Sequence, residues 1–200
     1  MKPLPCLLFF CVAALATTSE SAAQDKILET PYLPLEKGNT WTYKIAEKNF
    51  TLKVADHEKV GGVLCARVEM SVDGKVQTFE HLAVTADGIY RYSIGGTRLD
   101  VPVRILKLPP KKGDSWPIDS KGPGESLKGS VKAGEEEEVK VLAGAYKKVV
   151  TSTCDDLEAN GLKCGFTYYF AEGVGIIKQQ VQIGNDKTVF ELEKFQPGQK

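Results

Sequence analysis

Along most of the chain, apolar and polar residues alternate with a period of two. In WTYKI, Trp41, Tyr43 and Ile45 face one way and Thr42 and Lys44 the other; FTLKV repeats this with Phe50, Leu52 and Val54. VLCARVEMSV sets Leu64, Ala66, Val68, Met70 and Val72 against Cys65, Arg67, Glu69 and Ser71. RLDVPVRIL aligns Leu99, Val101, Val103 and Ile105. Successive strand side chains point to opposite faces, so this pattern predicts antiparallel strands with one buried face. Turn pairs punctuate the runs at Gly61, Asp73, Asp87, Gly95 and Gly184, which reads as a meander. No segment after the N-terminal apolar run keeps a helical period over a useful length. The expected class is therefore all-β: curved antiparallel sheets or a half-barrel, with few or no helices in the mature chain. Pro102 demotes its strand to an edge or a bulge. The Gly-, Ser-, Lys- and Glu-rich stretch near 119–136 reads as an exposed, flexible loop, with a short strand at SLKGSV. The run Glu135–Glu138 reads as a solvated edge.

One phrase occurs twice. LPLEKGNTW starts at Leu33 and LPPKKGDSW at Leu108; five of the nine positions are identical, and Asn39/Asp114 and Thr40/Ser115 are close substitutes. After each comes the same order of strand, Gly turn, strand, aromatic strand, Gly turn and strand. The simplest account is a duplicated β-unit, with residues 25–106 the first unit and 107–200 the second, joined in one compact domain. Within the phrase, Gly38 permits a left-handed turn, Asn39 or Asp114 bonds the turn backbone, and the Trp anchors the strand that follows.

The ends and the charge narrow the setting. Lys2, the apolar run LPCLLFFCVAALA and the small residues Ser21 and Ala23 read as a signal peptide over residues 1–24, cleaved on export to the periplasm or the exterior. That run is too short to span a bilayer, and no transmembrane segment is expected in the mature chain. With 26 basic and 26 acidic residues the chain gives no electrostatic case for binding nucleic acid. Cys65, Cys154 and Cys164 lie beyond the leader. In an oxidising compartment the natural pair is Cys154–Cys164, stapling a hairpin across the Asn160-Gly161 turn, with Cys65 left as a buried thiol.

The motifs Tyr32-x-Pro34-Leu35-x-x-Gly38-Asn39-x-Trp41-x-Tyr43 and Tyr169-x-x-x-Gly173-Val174-Gly175-x-Ile177-Lys178 resemble those of a group of exported bacterial proteins of unknown function. The resemblance spans most of the mature chain and is strongest at its two ends. It implies export and a curved sheet like that of the periplasmic lipoprotein carriers (a LolA-like fold), and it brings no catalytic residues.

Chemistry-bearing motifs are sparse. There is no G-x-S-x-G, H-E-x-x-H, C-x-x-C or phosphate-binding loop, and the two histidines lack a third orienting group. His57 beside Asp56 reads as a turn residue, and His81 beside Glu80 as part of a solvated strand face. No metal site, cofactor or enzymatic activity is expected. Asn49 heads an N-F-T sequon that a eukaryotic secretory pathway would use. Two function classes remain. In one, the sheet encloses an apolar cavity that carries a hydrophobic small molecule (a lipid or lipoprotein acyl chain), with Trp41, Tyr43, Phe166, Tyr168 and Phe170 lining it. In the other, the protein is an envelope or extracellular interaction module for a protein partner, with no small ligand.

Overall fold

The structure, a computed structural model, describes residues 27–122, 126–159 and 161–199. The expected leader over 1–24 and the turn residue Asn160 lie outside the described residues. Within them the chain forms strands and turns with no helix. The first strands are β1 (Thr40–Ile45), β2 (Lys48–Val60), β3 (Val63–Val72), β4 (Lys75–Thr85), β5 (Gly88–Ile94) and β6 (Thr97–Lys107). Then come β7 (Ser115–Lys121), β8 (Ser126–Ala133), β9 (Glu137–Val141), β10 (Gly144–Ala159), β11 (Leu162–Ala171), β12 (Gly175–Ile183) and β13 (Asp186–Gln196).

All pairings are antiparallel, in the order β6-β5-β4-β3-β2-β1-β13-β12-β11-β10-β8-β7, with β9 beside the first part of β10. The sheet coils into a nearly closed barrel. Its two free edges, β6 and β7, meet at a seam joined by side chains rather than by a ladder. Trp116 Nε1 donates to Arg104 O (2.8 Å) and Ser120 Oγ to Val101 O (2.5 Å). Asp100 Oδ1 accepts from the Lys121 N–H (2.5 Å). Pro102 thus sits on an edge strand, beside a register irregularity, where its missing N–H costs no ladder bond.

The twin phrases build the same turn twice. The Gly38 N–H donates to Val54 O (2.8 Å), Val54 N–H to Asn39 O (2.9 Å) and Asn39 N–H to Glu36 O (3.1 Å). In the second copy, Gly113 N–H donates to Ala133 O (3.0 Å), Ala133 N–H to Asp114 O (2.8 Å) and Asp114 N–H to Lys111 O (3.1 Å). Gly38 and Gly113 have φ of 92° and 82°, a region that penalises any Cβ. Each half also bends one long hairpin back toward its own last strand. The β2–β3 tip at Gly61 packs against Arg98 of β6, and the β9–β10 tip sends the Ala143 N–H to Leu192 O of β13 (2.8 Å). One hydrophobic core runs through both halves, from Val54, Leu82 and Leu106 to Val131, Phe170, Ile177 and Leu192.

Three local expectations change. Most of the stretch near 119–136 is strand: the end of β7 and all of β8, with Ser120, Val131 and Ala133 buried because their alternation faces inward. SLKGSV lies within β8 as expected, and Glu135–Glu138 are exposed. His57 lies within β2 rather than a turn, its Nε2 bonded to Leu35 O (2.8 Å). His81 is only 6% exposed rather than solvated. It bonds Ser93 Oγ (2.7 Å) and Glu58 Oε2 (3.3 Å) on the face of β4 opposite Glu80 and Leu82.

Candidate ligand-binding site

Because connections alternate ends in a meander, one end of the barrel carries only the turns after β1, β3, β5, β7, β10 and β12. Toward this end the interior is not filled. One lobe of about 210 Å³ lies between β5–β8 and β10–β12, walled by Ile94, Val103, Ile105, Ile118, Leu127, Leu157, Cys164, Phe166, Tyr168 and Val181. A second, of about 340 Å³, lies against Phe50, Leu52, Val68, Met70, Phe79 and Phe190. Both touch Ile94 and Gln179, and the second by itself falls within the range of roughly 300–1,000 Å³ usual for small-molecule sites. Apolar walls with few polar groups are what an acyl chain needs.

A charged pair stands in this largely apolar space, which the polar side chains Gln179 and Thr78 also line. Arg91 Nε donates to Glu80 Oε2 at 2.5 Å, and Tyr168 Oη lies 3.4 Å from both Nη1 and Nη2. Burial works against the guanidinium's charge, but Glu80 and Tyr168 outweigh it and hold its pKa above the ordinary value. The two side chains keep 21% and 25% of their surface, for Arg91 and Glu80, and each lines one lobe of the cavity. Among the described residues no group of three or more His, Cys, Asp and Glu side chains is placed to hold a metal ion.

The five residues nominated from the sequence divide. Phe166 and Tyr168 line the first lobe. Trp41, Tyr43 and Phe170 are buried in the core and line neither lobe. Trp41 Nε1 donates to Val174 O (2.6 Å) and stacks on Phe195; Tyr43 Oη donates to Ile176 O (2.6 Å) and stacks on Phe50. Burial first, and Glu80 second, push the Tyr43 phenol up. Phe170 is fully buried. Arg91 and Glu80 were not anticipated. The signal for Glu80 was present: in VQTFEHLAV it shares the face of Val76, Leu82 and Val84. Arg91 carries a similar signal: it alternates with the buried Ile89, and the regular run Val84–Ile89, Ala83–Tyr90, Leu82–Arg91 turns it inward before the β4–β5 register shifts.

The expected Cys154–Cys164 bridge is not formed; all three cysteines of the described residues are free thiols. A bulge after Cys154 breaks the register, so Cys154 faces Phe166 while Cys164 faces Leu157. Cys154 Sγ turns toward Gly129 and Asp156 (Sγ–Oδ1 3.4 Å), and Cys164 toward the cavity. Burial pushes the Cys65 and Cys154 thiols up to about 11 and raises Cys164 as well.

No protein-family model matches the chain, and no curated protein matches it by sequence. Two solved structures share its architecture. One, provisionally described as a lipoprotein from Parabacteroides distasonis, is 10% identical with a TM-score of 0.56, covering 84% of this chain and 99% of that one. The other, provisionally described as an exported protein with a YmcC-like fold from Bacteroides fragilis, is 12% identical with a TM-score of 0.50, covering 83% and 99%. At these identities the likeness is one of fold: the chain is an all-β, barrel-like protein of the same architecture.

Proposed function

We propose that the protein is an exported, non-catalytic barrel that holds a hydrophobic ligand, a lipid or lipoprotein acyl chain, between its sheet walls. The observation that carries this reading is the two-lobed cavity, apolar where Phe166, Ile118, Leu127 and Val181 meet. The leader-like N-terminus and the descriptions of the two structural neighbours, one as exported and one as a lipoprotein, support an envelope or extracellular setting. The matched turns at Gly38 and Gly113 support an origin of residues 25–106 and 107–200 as tandem copies of one unit.

The test is native mass spectrometry of the mature protein recovered from the exported fraction of its own host. An added mass that organic solvent removes is the expected result and identifies the ligand class. A bare polypeptide mass would count against tight carriage. It would favour the interaction-module reading, for which the exposed Leu162 and Ile183 at the turn-bearing end offer apolar contacts.

A further inference from the structure

The cavity's polar wall restricts which lipid it can hold. Glu80 occupies one guanidinium hydrogen of Arg91 through Nε at 2.5 Å. The Tyr168 contacts at 3.4 Å are long for hydrogen bonds, so the Nη groups retain donor capacity toward the cavity. The Tyr168 hydroxyl is a further donor in the same place. Charge is already balanced there, +1 on Arg91 against −1 on Glu80. An incoming carboxylate would satisfy the donors but leave one uncompensated negative charge among apolar walls, which is costly. A neutral carbonyl takes the same donors and adds no charge.

We propose that Arg91 and Tyr168, neutralised by Glu80, form a head-group site for the carbonyl of an acyl ester or amide, with the chain lying along Ile118, Leu127, Phe166 and Val181. This assignment deepens the carriage reading above and rests on it. It predicts that free fatty acids are poor ligands and that neutral acyl esters are good ones.

The experiment uses the delipidated mature protein and three probes of matched chain: monopalmitoylglycerol, palmitate and hexadecane. Binding is read by calorimetry and by protection of Cys164 from maleimide, at a mildly alkaline pH where palmitate is ionised. Monopalmitoylglycerol should bind roughly tenfold or more tightly than either of the others, the worth of a hydrogen bond to a charged group. Glu80→Gln should move the preference toward palmitate by a similar factor, because Arg91 then lacks its counter-charge. Palmitate or hexadecane binding the native protein as tightly as the ester overturns the head-group assignment and leaves carriage standing. An unchanged preference in a folded Glu80→Gln variant also overturns it. Failure of all three probes overturns both readings. Should Glu80→Gln not fold, the ratio measured on the native protein decides alone.

Discussion

Trp41 and Trp116, equivalent residues of the two repeated phrases, each donate an indole N–H to a main-chain carbonyl on a strand or turn outside their own ladder. Trp41 reaches Val174 O at 2.6 Å and Trp116 reaches Arg104 O at 2.8 Å. The first fastens β1 to the turn after β11; the second closes the seam between β6 and β7. Replacing either by Phe keeps most of the apolar burial and strands one acceptor, so each variant should lose roughly 1–3 kcal/mol. Urea denaturation measures the loss. Trp116→Phe should also speed amide exchange in β6 and β7 selectively, whereas Trp41→Phe should not.

The twin glycines provide a graded test of the turn geometry. A Cβ on Gly113 meets nothing within 4 Å, so Gly113→Ala incurs only the penalty of positive φ, on the order of 1 kcal/mol. A Cβ on Gly38 would lie 3.1 Å from the Gly198 Cα as well, so Gly38→Ala should be the more destabilising of the two. Equal losses in thermal melts would contradict the packing of the C-terminal segment against this turn.

Thiol chemistry separates the three cysteines of the described residues. All three should titrate as free thiols in the native protein, with Cys164 reacting first. Cys65 and Cys154, both buried and with thiols pushed up to about 11, should react only on unfolding. Mass mapping of alkylated peptides reads the order; a recovered Cys154–Cys164 disulfide would show that oxidation remodels the bulge at Asp155–Asp156.

The seam should be acid-sensitive through Asp100. Its carboxylate is held below the usual range, chiefly by the Lys121 N–H and also by the Val101 N–H and Ser120 hydroxyl. A group whose folded pKa is depressed stabilises the fold above its unfolded pKa, near 3.9, and that contribution is lost as pH falls through the folded value. Native protein should therefore exceed Asp100→Asn in melting temperature at neutral pH, and the two should converge below that range. A gap that persists at low pH would mean the residue acts through something other than its charge.

Two of the nominated aromatics should separate function from stability. Phe170→Ala empties a fully buried site and should cost about 3–5 kcal/mol. Phe166→Ala, at the half-filled cavity wall, should cost less stability and change ligand uptake more. Chemical denaturation and the native mass assay, run on both variants, read the two effects.

The fold was legible because its physics is local. Alternation alone places Trp41, Tyr43, Leu82 and Ile118 inward, and the repeated Gly-Asn/Asp turn marks where two strands begin. What escaped the sequence depends on register. The Cys154–Cys164 bridge looked natural from spacing, yet one bulge moves Cys164 opposite Leu157. Arg91 is a different case: its type suggests an exposed cation, yet simple alternation from the buried Ile89 turns it inward, toward Glu80. His81 sits on what alternation marks as the outer face, and only the folding-back of a long hairpin in three dimensions buries it. Trp41 and Tyr43 are aromatic and inward, but alternation does not tell an inward side chain that packs solidly from one that borders a cavity.

The first and last strands meet: the Gly198 N–H donates to Asn39 Oδ1 at 2.7 Å, beside the ladder that joins β1 to β13. At the opposite break, β6 and β7 lack a ladder but are linked by the peptide chain through residues 108–114. The ring is therefore covalently continuous where its hydrogen bonding is weakest and hydrogen-bonded where the polypeptide is discontinuous. Neither break lacks a fastening, so a chain with its ends fused and recut within 108–114 would lose the tether at the one seam that has no ladder to replace it.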